Sequence, residues 1–125
     1  MEELAVYEGG CHCGAVRFRV RTASRVALQC NCSVCTKKGL LHLIVPPDEF
    51  ELLQGVEQLT EYTFNTGVAK HTFCRICGVQ PFYTPRSHPN HVDVNVRCLD
   101  GDALLEFELR PFDGANWEQS VDQIR

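Results

Sequence analysis

Seven of the eight cysteines in this chain fall into three tight clusters, and what holds those sulfurs together limits every fold open to it. The clusters are Cys11-His12-Cys13, Cys30-Asn31-Cys32-Ser33-Val34-Cys35 and Cys74-Arg75-Ile76-Cys77, while Cys98 stands apart. Disulfides and metal coordination are the two outcomes, and the compartment decides between them. The opening of MEELAVYEGG has two acids, Glu2 and Glu3, where a secretion signal would carry bases. No stretch approaches the ~18 consecutive apolar residues of a membrane span. A soluble cytoplasmic protein is therefore expected, in which thiols stay reduced and clustered cysteines serve as metal ligands.

The spacing within each cluster says how it would bind. In Gly9-Gly10-Cys11-His12-Cys13-Gly14 two cysteines sit one residue apart between glycines. Residues i and i+2 of an extended segment project to one face, so both sulfurs reach one ion and nearby N–H groups bond the thiolates. Cys74 and Cys77, followed by Gly78, have the form of a zinc knuckle. Two and two make a closed, tetrahedral four-cysteine site of the structural kind, tying the N-terminal strand to the middle of the chain. The middle cluster offers three thiols and no evident fourth. Three protein ligands with an exchangeable fourth position are the catalytic kind of zinc site, so Cys30, Cys32 and Cys35 are where chemistry is expected. Cys98, or one of His12, His42, His71, His88 and His91, is available to close it. Spacing also leaves the division of sulfurs open, because Cys30 and Cys32 pair equally well on paper with Cys74 and Cys77.

Charge excludes one class of partner. The formal net charge is −4, and the longest basic run is Lys37-Lys38. Seven thiolates on two Zn²⁺ would add three further negative charges, which brings the domain to about −7. Nucleic-acid binding is not expected of such a surface. The length of 125 residues suits one domain with a real core, spanning residues 1–125.

Alternation of apolar and polar residues dominates the rest. Val16, Phe18 and Val20 alternate with Arg17, Arg19 and Arg21, and Val92, Val94 and Val96 alternate with Asp93, Asn95 and Arg97. Both patterns predict strands with one wet face. Ala103, Leu105, Phe107 and Leu109 predict another, and Leu40 to Val45 is an apolar strand stopped by Pro46-Pro47. Asn65-Thr66-Gly67 punctuates a hairpin between Glu57–Phe64 and Ala69–Phe73. Helix is scarce. Ser33 is placed to cap one turn through Lys37, and Trp117, Val121 and Ile124 have the spacing of a C-terminal helix lying on a sheet.

The cysteine clusters and their surroundings resemble the glutathione-dependent formaldehyde-activating enzyme family. The matching stretches are GGCHCGAVRF, CNCSVC and HTFCRICGVQPFYTPRS, and Phe112-Asp113-Gly114-Ala115-Asn116-Trp117 resembles the family's closing segment. The centromere protein V branch looks nearest, through Glu61-Tyr62-Thr63-Phe64-Asn65-Thr66 and Phe82-Tyr83-Thr84-Pro85-Arg86-Ser87. The resemblance implies a mainly β fold, a β-tent of packed antiparallel sheets with two zinc-thiolate sites and little helix. It implies a structural zinc at Cys11, Cys13, Cys74 and Cys77 and a catalytic zinc at Cys30, Cys32 and Cys35. Cys98 has no ligand role in that pattern and is expected to be a buried strand thiol.

The implied activity is that of a carbon–sulfur lyase, in which glutathione and formaldehyde or a related small aldehyde combine to an S-hydroxymethyl adduct. A free thiol is only a few per cent ionised at neutral pH, and coordination by zinc removes its proton. A bound thiolate is a weaker nucleophile, so positioning the reactants is the larger contribution expected of such a site. Lys37 and Lys38 follow the middle cluster and are candidates to offset its charge, and Arg86 is a candidate for a glutathione carboxylate. His71 is expected to be a strand histidine with a satisfied partner, and Phe73, Phe82 and Tyr83 are expected in the core. Two other functions compete: a non-enzymatic zinc module that binds another protein, and thiol redox or zinc buffering. A chain without basic or disordered tails favours a stand-alone cytosolic domain over the first.

Overall fold

The computed structural model describes residues 4–124; the acidic pair Glu2-Glu3 lies outside them. Among the described residues ten strands form, as β1 (Ala5–Gly10), β2 (Arg17–Thr22), β3 (Val26–Cys30), β4 (Leu41–Val45), β5 (Phe50–Gln54), β6 (Leu59–Tyr62), β7 (His71–Cys74), β8 (Phe82–Tyr83), β9 (Val92–Asn95) and β10 (Glu108–Phe112). Helix in the same residues is limited to α1 (Ser33–Lys38), the single turn α2 (Trp117–Ser120) and short 3₁₀ segments. The strands assemble into sheets ordered β1-β2-β5, β10-β3-β4-β9-β8 and β6-β7. Their pairings are antiparallel except that of β3 with β10. The architecture is the mainly β one expected, and among the described residues no helix is long and apolar enough to cross a membrane.

The main core lies where β2 packs on the five-stranded sheet. Phe18 and Val20 meet Leu41, Leu43, Val45 and Val94, all nearly inaccessible to solvent. Phe50 bridges Phe18 and Phe82, with ring centroids 5.6 and 4.7 Å away. Each such side chain contributes about 1.5–3 kcal/mol on burial. Arg17 and Arg19 take the outer face of β2, where they pair with Asp100, Glu8 and Glu51. This strand has the one wet face its alternation predicts.

The five-stranded sheet differs. Leu41, Leu43 and Val45 face the core, so His42 and Ile44 face away from it. That second face is covered as well, by the loops of residues 64–69 and 85–87 and by the C-terminal segment. Asp93 and Asn95, expected on a wet face, are therefore 2 % and 8 % exposed. The period of two is right, but the face it points to is not solvent: Asp93 lines a cavity, and Asn95 Nδ2 donates to the Gln80 carbonyl.

Three further expectations give way. Ala103 to Leu109 does not form a strand. Residues Ala103–Glu106 make a 3₁₀ turn after Gly101, which turns at φ +63°, and only Glu108–Phe112 extends to pair with β3. Ala103 and Phe107 are buried four residues apart, while Leu105 is 81 % exposed. The cap of α1 is Cys32, whose sulfur accepts the Cys35 N–H, and Ser33 is the first helical residue. Cys98 ends a 3₁₀ turn, Val96–Cys98, rather than lying in a strand, and it is only half-buried. The hairpin forms as β6 and β7. The C-terminal helix shrinks to one turn continued by Val121–Gln123, with Val121 buried.

Candidate metal centres and the cavity between them

Cys11, Cys13, Cys74 and Cys77 converge, their sulfurs all within 4.8 Å of one another. The turn after β1 supplies the first two. Cys11 N–H donates to the Val16 carbonyl, and Val16 N–H donates to Cys11 Sγ at 3.3 Å. The end of β7 supplies Cys74, and Gly78 at φ +79° closes the knuckle with its N–H on the Cys74 carbonyl. The Cys11–Cys13 and Cys13–Cys74 sulfurs are 3.6 and 3.8 Å apart. A tetrahedron with Zn–S bonds of about 2.3 Å has edges of about 3.8 Å, so these residues fit zinc as they stand. Of the divisions that spacing left open, the fold brings together Cys11 and Cys13 with Cys74 and Cys77. Val16, Leu52, Leu59, Val79 and Phe82 pack around them in a small apolar cluster.

Cys30, Cys32 and Cys35 are gathered by the end of β3 and the first turn of α1. The helix puts Cys32 and Cys35 three residues apart on one side, with Cys35 N–H on Cys32 Sγ at 3.4 Å and Cys32 N–H on Cys30 Sγ at 3.5 Å. Contacts with the Cys30 and Cys35 thiols pull the Cys32 pKa well below that of a free thiol. The reciprocal contacts push Cys30 and Cys35 up. One sulfur that gives up its proton readily, flanked by two more, is a suitable donor set for a soft divalent cation.

His42 reaches the same place from β4. Its Nε2 lies 3.2 Å from Cys35 Sγ, and its Nδ1 lies 2.8 Å from Asp93 Oδ2. Nε2 and the sulfurs of Cys30 and Cys35 all fall within 4.8 Å of one another. Burial works against a charged imidazole, but the Asp93 carboxylate outweighs it and raises the His42 pKa. The Tyr83 hydroxyl stands 3.3 Å from Nδ1, and burial pushes its own pKa well up.

This second cluster opens onto a cavity of about 650 Å³, which the first does not line. Leu28, Ile44 and Phe112 of the sheet make part of its lining apolar, and Arg86, Trp117 and Asn116 line it as well. The Arg86 guanidinium lies over the Trp117 ring at 3.7 Å, which fixes its plane. Lys37 is exposed on α1 and lies outside the cavity lining. Lys38 instead donates to Gln80 Oε1. With its oxygen so engaged, the Gln80 amide presents Nε2 to His71 Nδ1 at 3.0 Å, so His71 has the satisfied partner expected. Tyr83, expected in the core, stacks on His71 at 4.5 Å and lines the cavity. Cys98 bonds the Gln80 carbonyl and feels the charges of Cys11 and Cys77, so it serves neither cluster as a ligand in this arrangement.

The sequence offers His42 only as one of five histidines, and its alternation places Asp93 in water. The available signal is His42 itself, the one polar residue in the apolar run Leu40–Val45. Nothing in the spacing singles out Asn31 or Gly114. The Asn31 side chain bonds Asp113 and Ala115, drawing the C-terminal loop across the cluster, and Gly114 lies against Cys30.

Residues 6–117 match the family profile described as glutathione-dependent formaldehyde-activating enzyme. A crystal structure of a Rhodobacter sphaeroides protein, a Northeast Structural Genomics target, is similar with a TM-score of 0.72 and 36% identity. The match covers 82% of this chain and 99% of that one.

Proposed function

The chain belongs to the glutathione-dependent formaldehyde-activating enzyme family, and from that premise we propose that it combines glutathione with formaldehyde or a related small aldehyde to the S-hydroxymethyl adduct. The observation that carries this reading is the cavity of about 650 Å³ over Cys30, Cys32 and Cys35. A volume of that order suits a tripeptide-sized ligand. Zinc held by these three cysteines would ionise an incoming thiol at neutral pH and keep it in place. Zinc is the assigned metal in both clusters because thiolate-rich tetrahedral sets favour it.

The protein's own residues bind and orient. Arg86, its plane set by Trp117, offers two parallel N–H groups to a glutathione carboxylate. The apolar wall of Leu28, Ile44 and Phe112 limits water around the reacting sulfur. Holding a thiolate beside a small aldehyde turns an encounter into a positioned reaction, a suitable role in a reaction that also runs unaided. Within the family, the stretches Glu61–Thr66 and Phe82–Ser87 support a reading nearest the centromere protein V branch. The reducing cytosol is the compartment assigned, since the sulfurs must stay unoxidised to bind metal. A non-enzymatic interaction module is the competing function, and it gives no role to a cavity over the second cluster.

The test is spectroscopic and kinetic. Millimolar glutathione should alter the visible bands of the cobalt(II)-substituted protein, and adduct formation from ¹³C-formaldehyde should outrun the uncatalysed rate. Unchanged bands together with an unchanged rate would leave the interaction module.

A further inference from the structure

We propose that His42 is the fourth donor of the second centre, completing a set of three cysteines and one histidine in which Asp93 is the positioning residue. The sheet itself assembles these groups. On β3 and β4 Leu28 pairs with His42, so Cys30, two residues beyond Leu28, shares the face of His42 and stands diagonal to it. On β4 and β9 His42 pairs with Asn95, so Asp93 is the diagonal neighbour on the other side. Cys30, His42 and Asp93 thus run in one oblique row across three strands. Helix α1, ended by Gly39 at φ +69°, returns the chain so that Cys35 meets the row from above.

Hydrogen bonding fixes what the imidazole presents. Asp93 Oδ2 accepts from Nδ1 at 2.8 Å, which places the ring proton there and leaves the Nε2 lone pair facing Cys35 Sγ at 3.2 Å. His42 and Asp93 are 5% and 2% exposed, and Asp93 Oδ1 is buried without a hydrogen-bond partner. The imidazole and the neighbouring Tyr83 hydroxyl are the groups that face this carboxylate, and its bond to Nδ1 gives the imidazole one fixed orientation. The sulfurs of Cys30 and Cys35 and the Nε2 lone pair lie within 4.8 Å of one another, and Cys32 Sγ, which accepts the Cys35 N–H, stands beside them as the third sulfur a cation would draw in. A carboxylate behind a histidine ligand is the common outer support of such centres.

The assignment concerns the donor set at rest and stands on the same site as the thiol reading. A centre complete in protein donors has no exchangeable corner, so an incoming thiol must take the place of the imidazole. This replaces the open position expected from the count of three cysteines.

Proton NMR of the cobalt(II)-loaded protein tests it. In H₂O one hyperfine-shifted exchangeable resonance is expected, from the Nδ1–H of His42 held by Asp93, and it should vanish in D₂O and in His42→Gln. Both sites loaded with no such resonance would overturn the proposal. Asp93→Asn should leave the resonance but speed its exchange, and should weaken the second metal about 10- to 100-fold in chelator competition with the first unaffected. Unchanged exchange and affinity in Asp93→Asn would remove its positioning role. Should His42→Gln fail to fold, the wild-type spectrum and Asp93→Asn decide the matter. A shifted N–H that persists while glutathione changes nothing keeps the donor set and removes the thiol reading; a glutathione response without that resonance does the reverse.

Discussion

Gly114 shows how little room the second centre leaves. A Cβ at that position would lie 2.2 Å from Cys30 Sγ and 3.1 Å from Cys32 Cβ. Both neighbours are fixed, one by β3 and the other by its cap on α1, so neither can withdraw cheaply. Gly114→Ala should therefore cost the protein its second metal, with content by plasma mass spectrometry falling from about two ions to about one. Two retained ions would show that the C-terminal loop moves aside. Cys98 gives the opposite case. Burial, with the charges of Cys11 and Cys77, pushes its thiol up to about 12. At pH 8 its thiolate fraction is roughly one in ten thousand, so folded protein should leave Cys98 unalkylated by iodoacetamide while denatured protein does not. Labelling located by peptide mass spectrometry checks it.

Among the elements, strands with a filled core face are the readable part, and the reason is physical. Val16 to Arg21 alternates because one side meets Phe50 and Phe82 and the other meets water, so composition records the environment directly. Asp93 and His42 break that link, since a polar side chain paired inside a cavity has the same letter as one in solvent. The knuckle and the two-residue spacing of Cys11 and Cys13 name the residues of the first cluster, but the pairing of clusters is a property of topology that spacing leaves open. Ala103 to Leu109 misleads because burial of Ala103 and Phe107 fits a tight turn as well as a strand. The C-terminal loop has no periodic signal at all. Asn31 holds it, with Nδ2 donating to Asp113 Oδ1 at 3.0 Å and Oδ1 accepting the Ala115 N–H at 2.8 Å. Asn31→Ala should speed hydrogen exchange at Ala115 while the amides of β4 stay protected. Bonds from Asn116 and Asn31 hold the Asp113 pKa below its ordinary 3.8. The support it gives is present above that value and is lost as pH falls through the lower folded value. The Ala115 N–H shift followed by NMR should move in that acid range, and a flat titration would deny the clasp.

At the scale of the molecule the two centres differ in how much chain they constrain. Cys13 and Cys74 are 61 residues apart, and the first centre joins the β1–β2 turn to β7. Cys30 to His42 runs from the last residue of β3 through one helix to the start of β4, so the second centre would close only a short loop. Cross-linking distant segments removes more freedom from the unfolded chain than cross-linking near ones. A metal in the first cluster would also support what could not stand alone: β6 and β7 form a separate two-stranded sheet, and such a ribbon is marginal in water. Cys74 is itself the last residue of β7 and is wholly buried in the cluster around Val16. Cys77→Ser should then lower the melting temperature by roughly 10 °C or more, or prevent folding, because lost metal affinity is lost folding free energy. Cys32→Ser should keep the fold, shift the melt by a smaller amount and reduce the metal content from about two ions to about one. Circular dichroism melts beside metal analysis on the same samples compare them. Equal losses of stability in the two variants would mean that the short loop matters as much as the long one, and the division of labour between the centres would fail.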